Sequence, residues 1–227
     1  MSLSVANPWL KIAEQKNPPY LASCDRNIKL ADFYNLHVEI LPQPYLGNVI
    51  SAKVICLLLN PGCARTEDNV ELDCRRLQEA LRDNLDPAAS RLVYLDDEFD
   101  WTSGGRWLRQ KVLNPLSSHG VTRDDLDRNF AVVEYFPYHS KTFDVKLDEP
   151  LESQRYGFEL VRQAINNGVI ILLMRGGELW HKAVPELIPY QNSGNCITPH
   201  STRNVILSEK NLGEKNFAKI VDVLKAR

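Results

Sequence analysis

Val54-Ile55-Cys56-Leu57-Leu58-Leu59-Asn60-Pro61-Gly62 is a short apolar run that ends abruptly in Asn-Pro-Gly. It is too short for a helix, is β-branched at its start and is closed by two breakers, so it predicts a strand buried on both faces. Strands of that kind belong to parallel α/β sheets, whose ligands sit in the crevice beyond the carboxyl ends of the strands. Asn60 is thereby carried to the edge where such proteins do their chemistry. Pro61 fixes φ and biases Asn60 away from the helical region, and Gly62 permits a sharp turn or a close approach to a ligand. Taken alone, Leu59–Gly62 fits a mere strand-ending turn equally well.

Working outward, two more runs have the same character. Phe130–Phe136 is stopped by Pro137, and Val169–Met174 leads into Arg175-Gly176-Gly177. Cys196–Thr198 offers a short fourth strand. Helical spacing falls between them: around Val70–Asn84 with Leu72, Leu77 and Leu81 in phase, from near Arg106, over Thr122–Arg128 with Thr122 and Asp125 as a capping box, over Pro150–Asn166 before Asn167-Gly168, and after Gly177. Glu214–Lys225 closes the chain as an amphipathic helix with Phe217, Ile220, Val221 and Leu224 on one face. Strands alternating with helices predict a three-layer α/β/α sandwich on a central, mainly parallel four-stranded sheet. Residues 1–48, broken by Pro18-Pro19, Pro42 and Pro44, read as an arm packed on the core, with short helices over Pro8–Gln15 and Lys29–Leu36. Residues 49–227 read as one α/β domain.

Composition excludes several classes. The 27 basic and 29 acidic side chains in 227 residues leave no global positive field, so any nucleic-acid contact must use a local patch. No apolar run approaches a bilayer span and the start lacks a basic, apolar leader, so a cytoplasmic protein without membrane contact is expected. The five cysteines are widely spaced and lack a CxxC pair, which argues against a disulfide framework, a zinc site or an iron–sulfur cluster. No metal and no cofactor is expected.

If the strands are parallel, their carboxyl ends bring together Asn60-Pro61-Gly62, Glu134 to Ser140, Arg175-Gly176-Gly177 and the polar loop Thr198-Pro199-His200-Ser201-Thr202-Arg203-Asn204. In that loop His200 can serve developing negative charge, and Ser201, Thr202 and Arg203 can hold phosphate oxygens. By itself the loop also fits a polar surface turn with capping residues.

The early Leu-Leu-Leu-Asn-Pro-Gly and the late Thr-Pro-His-Ser-Thr-Arg-Asn together resemble the uracil-DNA glycosylase superfamily. Its first motif ends strand one as Gly-x-Asn-Pro-Gly in the mismatch-specific branch, and its second is built on His-Pro-Ser or Asn-Pro-Ser. Phe99-Asp100-Trp101 with Gly104-Gly105-Arg106-Trp107-Leu108, then Ala131–Tyr135, then Val169–Met174 with Gly176-Gly177, follow in the family's order, so the resemblance spans roughly Lys53 to Lys225. It implies a monomeric protein that hydrolyses or binds a flipped nucleobase in DNA. Asn60 would orient water and His200 would stabilise the departing base. Pro61, Gly62, Phe99, Trp101, Glu134 and Tyr135 would form the base pocket, and Ser201, Thr202 and Arg203 would grip phosphates. The chain departs from the pattern at Leu58 in place of glycine, at the inverted Pro199-His200 and at Glu134 in place of asparagine. An ionised Glu134 only accepts hydrogen bonds, so it suits an exocyclic amino group rather than uracil's O4. A nucleotide- or nucleic-acid-binding module without hydrolysis is the alternative.

Overall fold

The computed structural model describes residues 5–26, 36–63, 70–143 and 149–226. Its strands are β1 (Leu36–His37), β2 (Tyr45–Leu46), β3 (Val54–Leu58), β4 (Phe130–Glu134), β5 (His139–Ser140), β6 (Ile170–Leu173) and β7 (Cys196–Ile197). The central sheet runs β2-β4-β3-β6-β7, and β1 pairs with β5 apart from it. β4, β3, β6 and β7 are parallel neighbours, so the buried runs at Val54, Phe130 and Ile170 lie side by side as expected. The sheet has five strands rather than four, because Tyr45–Leu46 adds an antiparallel edge to β4. Two residues with Pro44 just before them show no alternation, so that strand had no periodic signal.

Strand alternation divides the core in two. Ile55, Leu57, Ala131, Val133, Ile171 and Leu173 face one layer, which contains the helix Gln154–Asn166, Trp180 and the N-terminal residues Trp9, Ile12 and Tyr20. Val54, Cys56, Leu58, Phe130, Val132 and Leu172 face the other, packed by Leu77, Leu108, Leu126, Phe217 and Ile220. Each fully buried leucine, isoleucine or phenylalanine contributes about 1.5–3 kcal/mol, which is why both faces of β3 are apolar throughout.

The N-terminal segment is tied down by polar contacts as well. The buried Asp25 accepts from Tyr138 Oη (2.6 Å) and the Ser153 N–H (3.1 Å). Arg82 donates to the carbonyls of Ile12 and Ala13 and its guanidinium lies over the Tyr20 ring. The short helix Leu10–Ala13 falls within Pro8–Gln15, whereas the helix expected over Lys29–Leu36 lies outside the described residues, apart from Leu36 in β1.

Two helices differ from expectation in ways that shape the site. The helix expected over Val70–Asn84 is two, Val70–Asp73 and Arg75–Asp83, broken at Cys74. The helix expected from near Arg106 begins at Ser103, because the Thr102 hydroxyl accepts the Gly105 N–H at 2.8 Å as an N-cap. It continues through a π-helical stretch, Arg109–Leu113, into Asn114–Ser117. Pro115 has no N–H to offer the carbonyl four residues back. That carbonyl, on Lys111, accepts instead from the Leu207 N–H at 2.8 Å and so anchors the segment after β7 to this helix. Thr122 and Asp125 form the expected capping box at the head of Arg123–Asn129. Among the described residues no helix is long and apolar enough to cross a membrane.

A candidate ligand cavity at the carboxyl ends of the strands

Beyond Leu58 the chain leaves β3 but keeps company with the segment after β4. The Phe136 N–H donates to the Leu59 carbonyl at 2.8 Å, the Ser140 N–H to the Pro61 carbonyl at 3.3 Å, and Gly62 bridges to Ser140. Asn60 is fixed by that run: its Nδ2 donates to Ser140 Oγ at 2.8 Å and to the Pro61 carbonyl at 3.0 Å. The amide nitrogen is thus committed to the protein. Gly176 supports the same turn from β6, at φ +67, where a Cβ would lie 2.9 Å from the Leu59 side chain.

These segments border a cavity of about 750 Å³. Leu46, Leu58 and Val132 form its floor, and Tyr94 and Trp107 stand on its walls as aromatic rings. Asn60, Pro61, Gly62 and Ser140 reach it from the strand ends, with Glu134, Glu71, His139 and Arg175 as its titratable and charged neighbours. Gly104 is required here because the Tyr94 ring occupies the space a side chain would need, with Cζ 2.4 Å from an added Cβ. Tyr94 Oη donates to Gln43 Oε1 at 3.1 Å, and the Glu71 carboxylate accepts from the Ser103 N–H at 2.6 Å.

Glu134 is the unusual member. It ends β4 on the same face as Val132 and Leu58, is only 6% exposed, and its Oε2 has no hydrogen-bond partner among the described residues. Burial pushes its pKa up to about 8, against the opposing pull of Arg175. Burial thus favours the neutral acid over the accept-only carboxylate. His139 is half-buried, and its Nδ1–H donates to the Gly62 carbonyl at 2.8 Å, with burial lowering its pKa. The Cys63 thiol beside it is pushed up to about 11 by burial and by Glu39 and Glu71, the reverse of an activated thiolate.

The sequence-derived site residues divide between this cavity and other places. Asn60, Pro61, Gly62 and Glu134 line it. Tyr135 does not, because strand alternation turns it to the opposite face, where it packs on Phe158 and Trp180. Phe99 is buried in the core and borders a second, smaller cavity of about 380 Å³, while Trp101 is exposed. Both differences follow from the early start of the helix at Ser103, which turns the preceding aromatics away and gives their place to Tyr94 and Trp107. The Thr102 cap was the signal in the sequence that locates that start.

His200 does not line the cavity. It is exposed, its ring lies beside Gly213, and its N–H donates to the Asn211 carbonyl at 2.8 Å. Ser201, Thr202 and Arg203 are exposed as well, and only Val205 of this loop reaches the cavity. The loop is held from beneath by the buried Asn211, whose Oδ1 accepts from the Ser201 N–H and whose Nδ2 donates to the carbonyls of Asn204 and Ile206, all within 3.0 Å. Arg175 links loop to cavity by donating to the Arg203 carbonyl at 3.3 Å. The structure therefore brings Asn60 to Glu134, Ser140 and Arg175, and leaves His200 outside.

This is an α/β protein with a cavity at the carboxyl rim of a mostly parallel sheet. Comparison with known proteins finds no matching family model, no matching curated protein and no matching solved structure.

Proposed function

We propose that the cavity takes a nucleobase, presented as a flipped nucleotide of DNA, and that the protein is a DNA-glycosylase-like enzyme. The observation that carries this reading is the company of Asn60: an amide pinned at the end of β3, opening on a volume walled by Tyr94 and Trp107 and floored by leucine and valine. That volume lies within the roughly 300–1,000 Å³ of small-molecule sites, and flat aromatic walls with a few convergent polar groups suit a planar heterocycle.

With Nδ2 held by Ser140, Asn60 offers its carbonyl oxygen to position a water against the sugar C1′. The water's oxygen bonds to C1′ as the bond to the base nitrogen breaks, the base leaves with the electron pair, and the proton released by the water ends on the departed base. Arg175, which lines the cavity, supplies the positive charge for that departure in place of His200. Ser201, Thr202 and Arg203 are exposed beside it and are proposed to meet the DNA backbone.

A second reading, a nucleotide- or nucleic-acid-binding module without hydrolysis, is favoured by the exposed position of His200. Incubation with oligonucleotides carrying uracil, hypoxanthine, xanthine or mismatched thymine tests the two. Release of any base supports the enzyme, and binding without release from every substrate supports the module.

A further inference from the structure

The proposed function leaves open what the ligand's edge must look like, and Glu134 bears on that. Its carboxyl ends β4 inside the cavity, is more than nine-tenths buried, and has an oxygen without a partner among the described residues. Its surroundings do not favour a charge there. Leu46, Leu58, Val132 and Leu81 are apolar, and the Cys56 thiol on the neighbouring strand is itself driven upward by burial and by Glu134. Besides Glu134, the charged and titratable groups of the cavity are Arg175 after β6, Glu71 on the helix Val70–Asp73, His139 on β5, Lys141 just after it, Cys63 and Tyr94. Only Arg175 favours ionisation of Glu134 appreciably, and its Nη2 is already used on the Arg203 carbonyl. Burying an unpaired carboxylate costs far more than burying the neutral acid.

Resting on the nucleobase reading above, we propose that Glu134 meets the ligand as a neutral carboxylic acid, and that the cavity therefore selects a heterocycle edge with a hydrogen-bond acceptor beside a donor. A neutral acid presents one carbonyl oxygen and one O–H, so it pairs with an acceptor–donor edge such as those of cytosine, adenine, thymine or uracil. An edge of two adjacent donors, such as the N1–H and amino group of guanine, needs the ionised form, so guanine can meet the neutral acid only through its O6 and N1–H. The unpartnered Oε2 then gains its hydrogen bond when the ligand arrives. Glu134 is a specificity-determining residue on this account and takes no part in bond breaking.

The test follows binding of cytidine, adenosine and guanosine by the full-length protein, using tryptophan fluorescence from Trp107 at the cavity wall or calorimetry, across neutral to alkaline pH. Cytidine or adenosine is expected to bind at neutral pH and to weaken about tenfold for each pH unit above 8. Glu134→Gln, which keeps one donor and one acceptor, is expected to keep neutral-pH affinity and to abolish that dependence, whereas Glu134→Ala weakens binding at every pH. In difference infrared spectra the wild type is expected to show a protonated-carboxyl band that vanishes near the same pH and is missing from Glu134→Gln. Binding without pH dependence, or guanosine bound best and more tightly as pH rises, overturns the inference and leaves the nucleobase reading standing. Failure of every nucleoside at every pH overturns the nucleobase reading itself, and the infrared titration then decides the state of Glu134 independently.

Discussion

Leu58 and Glu134 are register partners at the ends of two adjacent parallel strands, so their side chains open together onto the same cavity. The apolar partner raises the cost of charging the acid, and the acid sets a hydrogen-bonding group among the apolar side chains of Leu46, Leu58 and Val132. The Leu58 carbonyl is held from the opposite face, where Trp180 donates its indole N–H to it at 2.8 Å. The position where the resembled family carries glycine is thus a packed residue whose backbone is anchored on one side and whose side chain lines the cavity on the other.

Glu134 makes the fold's stability depend on pH. Its folded pKa of about 8 stands above the ordinary carboxyl value of 4.5, so between those limits the native state holds a proton that the unfolded chain has released. The contribution is fully present below pH 4.5, declines as pH rises through that window and is gone above 8. The slope is expected to be on the order of 1 kcal/mol per pH unit. Urea unfolding of wild type and Glu134→Gln over the same pH series checks it, because the variant should lack that component of the slope.

Asn60 and His200 are expected to separate cleanly. If base release occurs, Asn60→Ala should lower it by about 100-fold or more with little change in DNA affinity, as for a group acting mainly in the transition state. His200→Ala should leave release nearly unchanged, because its side chain lies outside the cavity. Ser140→Ala should mimic Asn60→Ala in part by freeing the amide. Single-turnover assays with parallel binding curves distinguish these outcomes.

Asn211→Ala should loosen the loop from Ser201 to Ile206 by removing one acceptor and one donor serving three backbone groups. A loss of about 1–3 kcal/mol is expected. Denaturant unfolding gives the stability, and faster proteolytic cleavage near Thr202 would locate the change.

Gly104→Ala should push the Tyr94 ring into the cavity or tilt the helix that starts at Ser103, since the added Cβ would overlap the ring. Overpacking of this kind costs about 1–3 kcal/mol. Thermal unfolding and nucleoside binding should both suffer, whereas Gly194→Ala, whose Cβ meets nothing within 4 Å, should cost only the strain of its φ of +76.

The buried strands were legible because their apolar runs are continuous and sharply ended, a pattern that local sequence carries in full. The capping box at Thr122 and the stop at Gly168, φ +72, were legible for the same reason. Asn60 could be placed on the carboxyl rim because a parallel sheet leaves a strand-ending polar residue nowhere else to go. Tertiary structure decided the rest. The edge strand Tyr45–Leu46 exists because β4 offers unpaired backbone groups, not because two residues prefer extension. Tyr94 and Trp107 wall the cavity because Thr102 starts a helix three residues early. The pKa of Glu134 is raised because chain segments far apart in sequence exclude water around it, and His200 stands outside because Pro115 and Asn211 anchor its loop elsewhere. Local sequence sets what each segment can form; solvation and the pairing of distant segments set which side chains share a site.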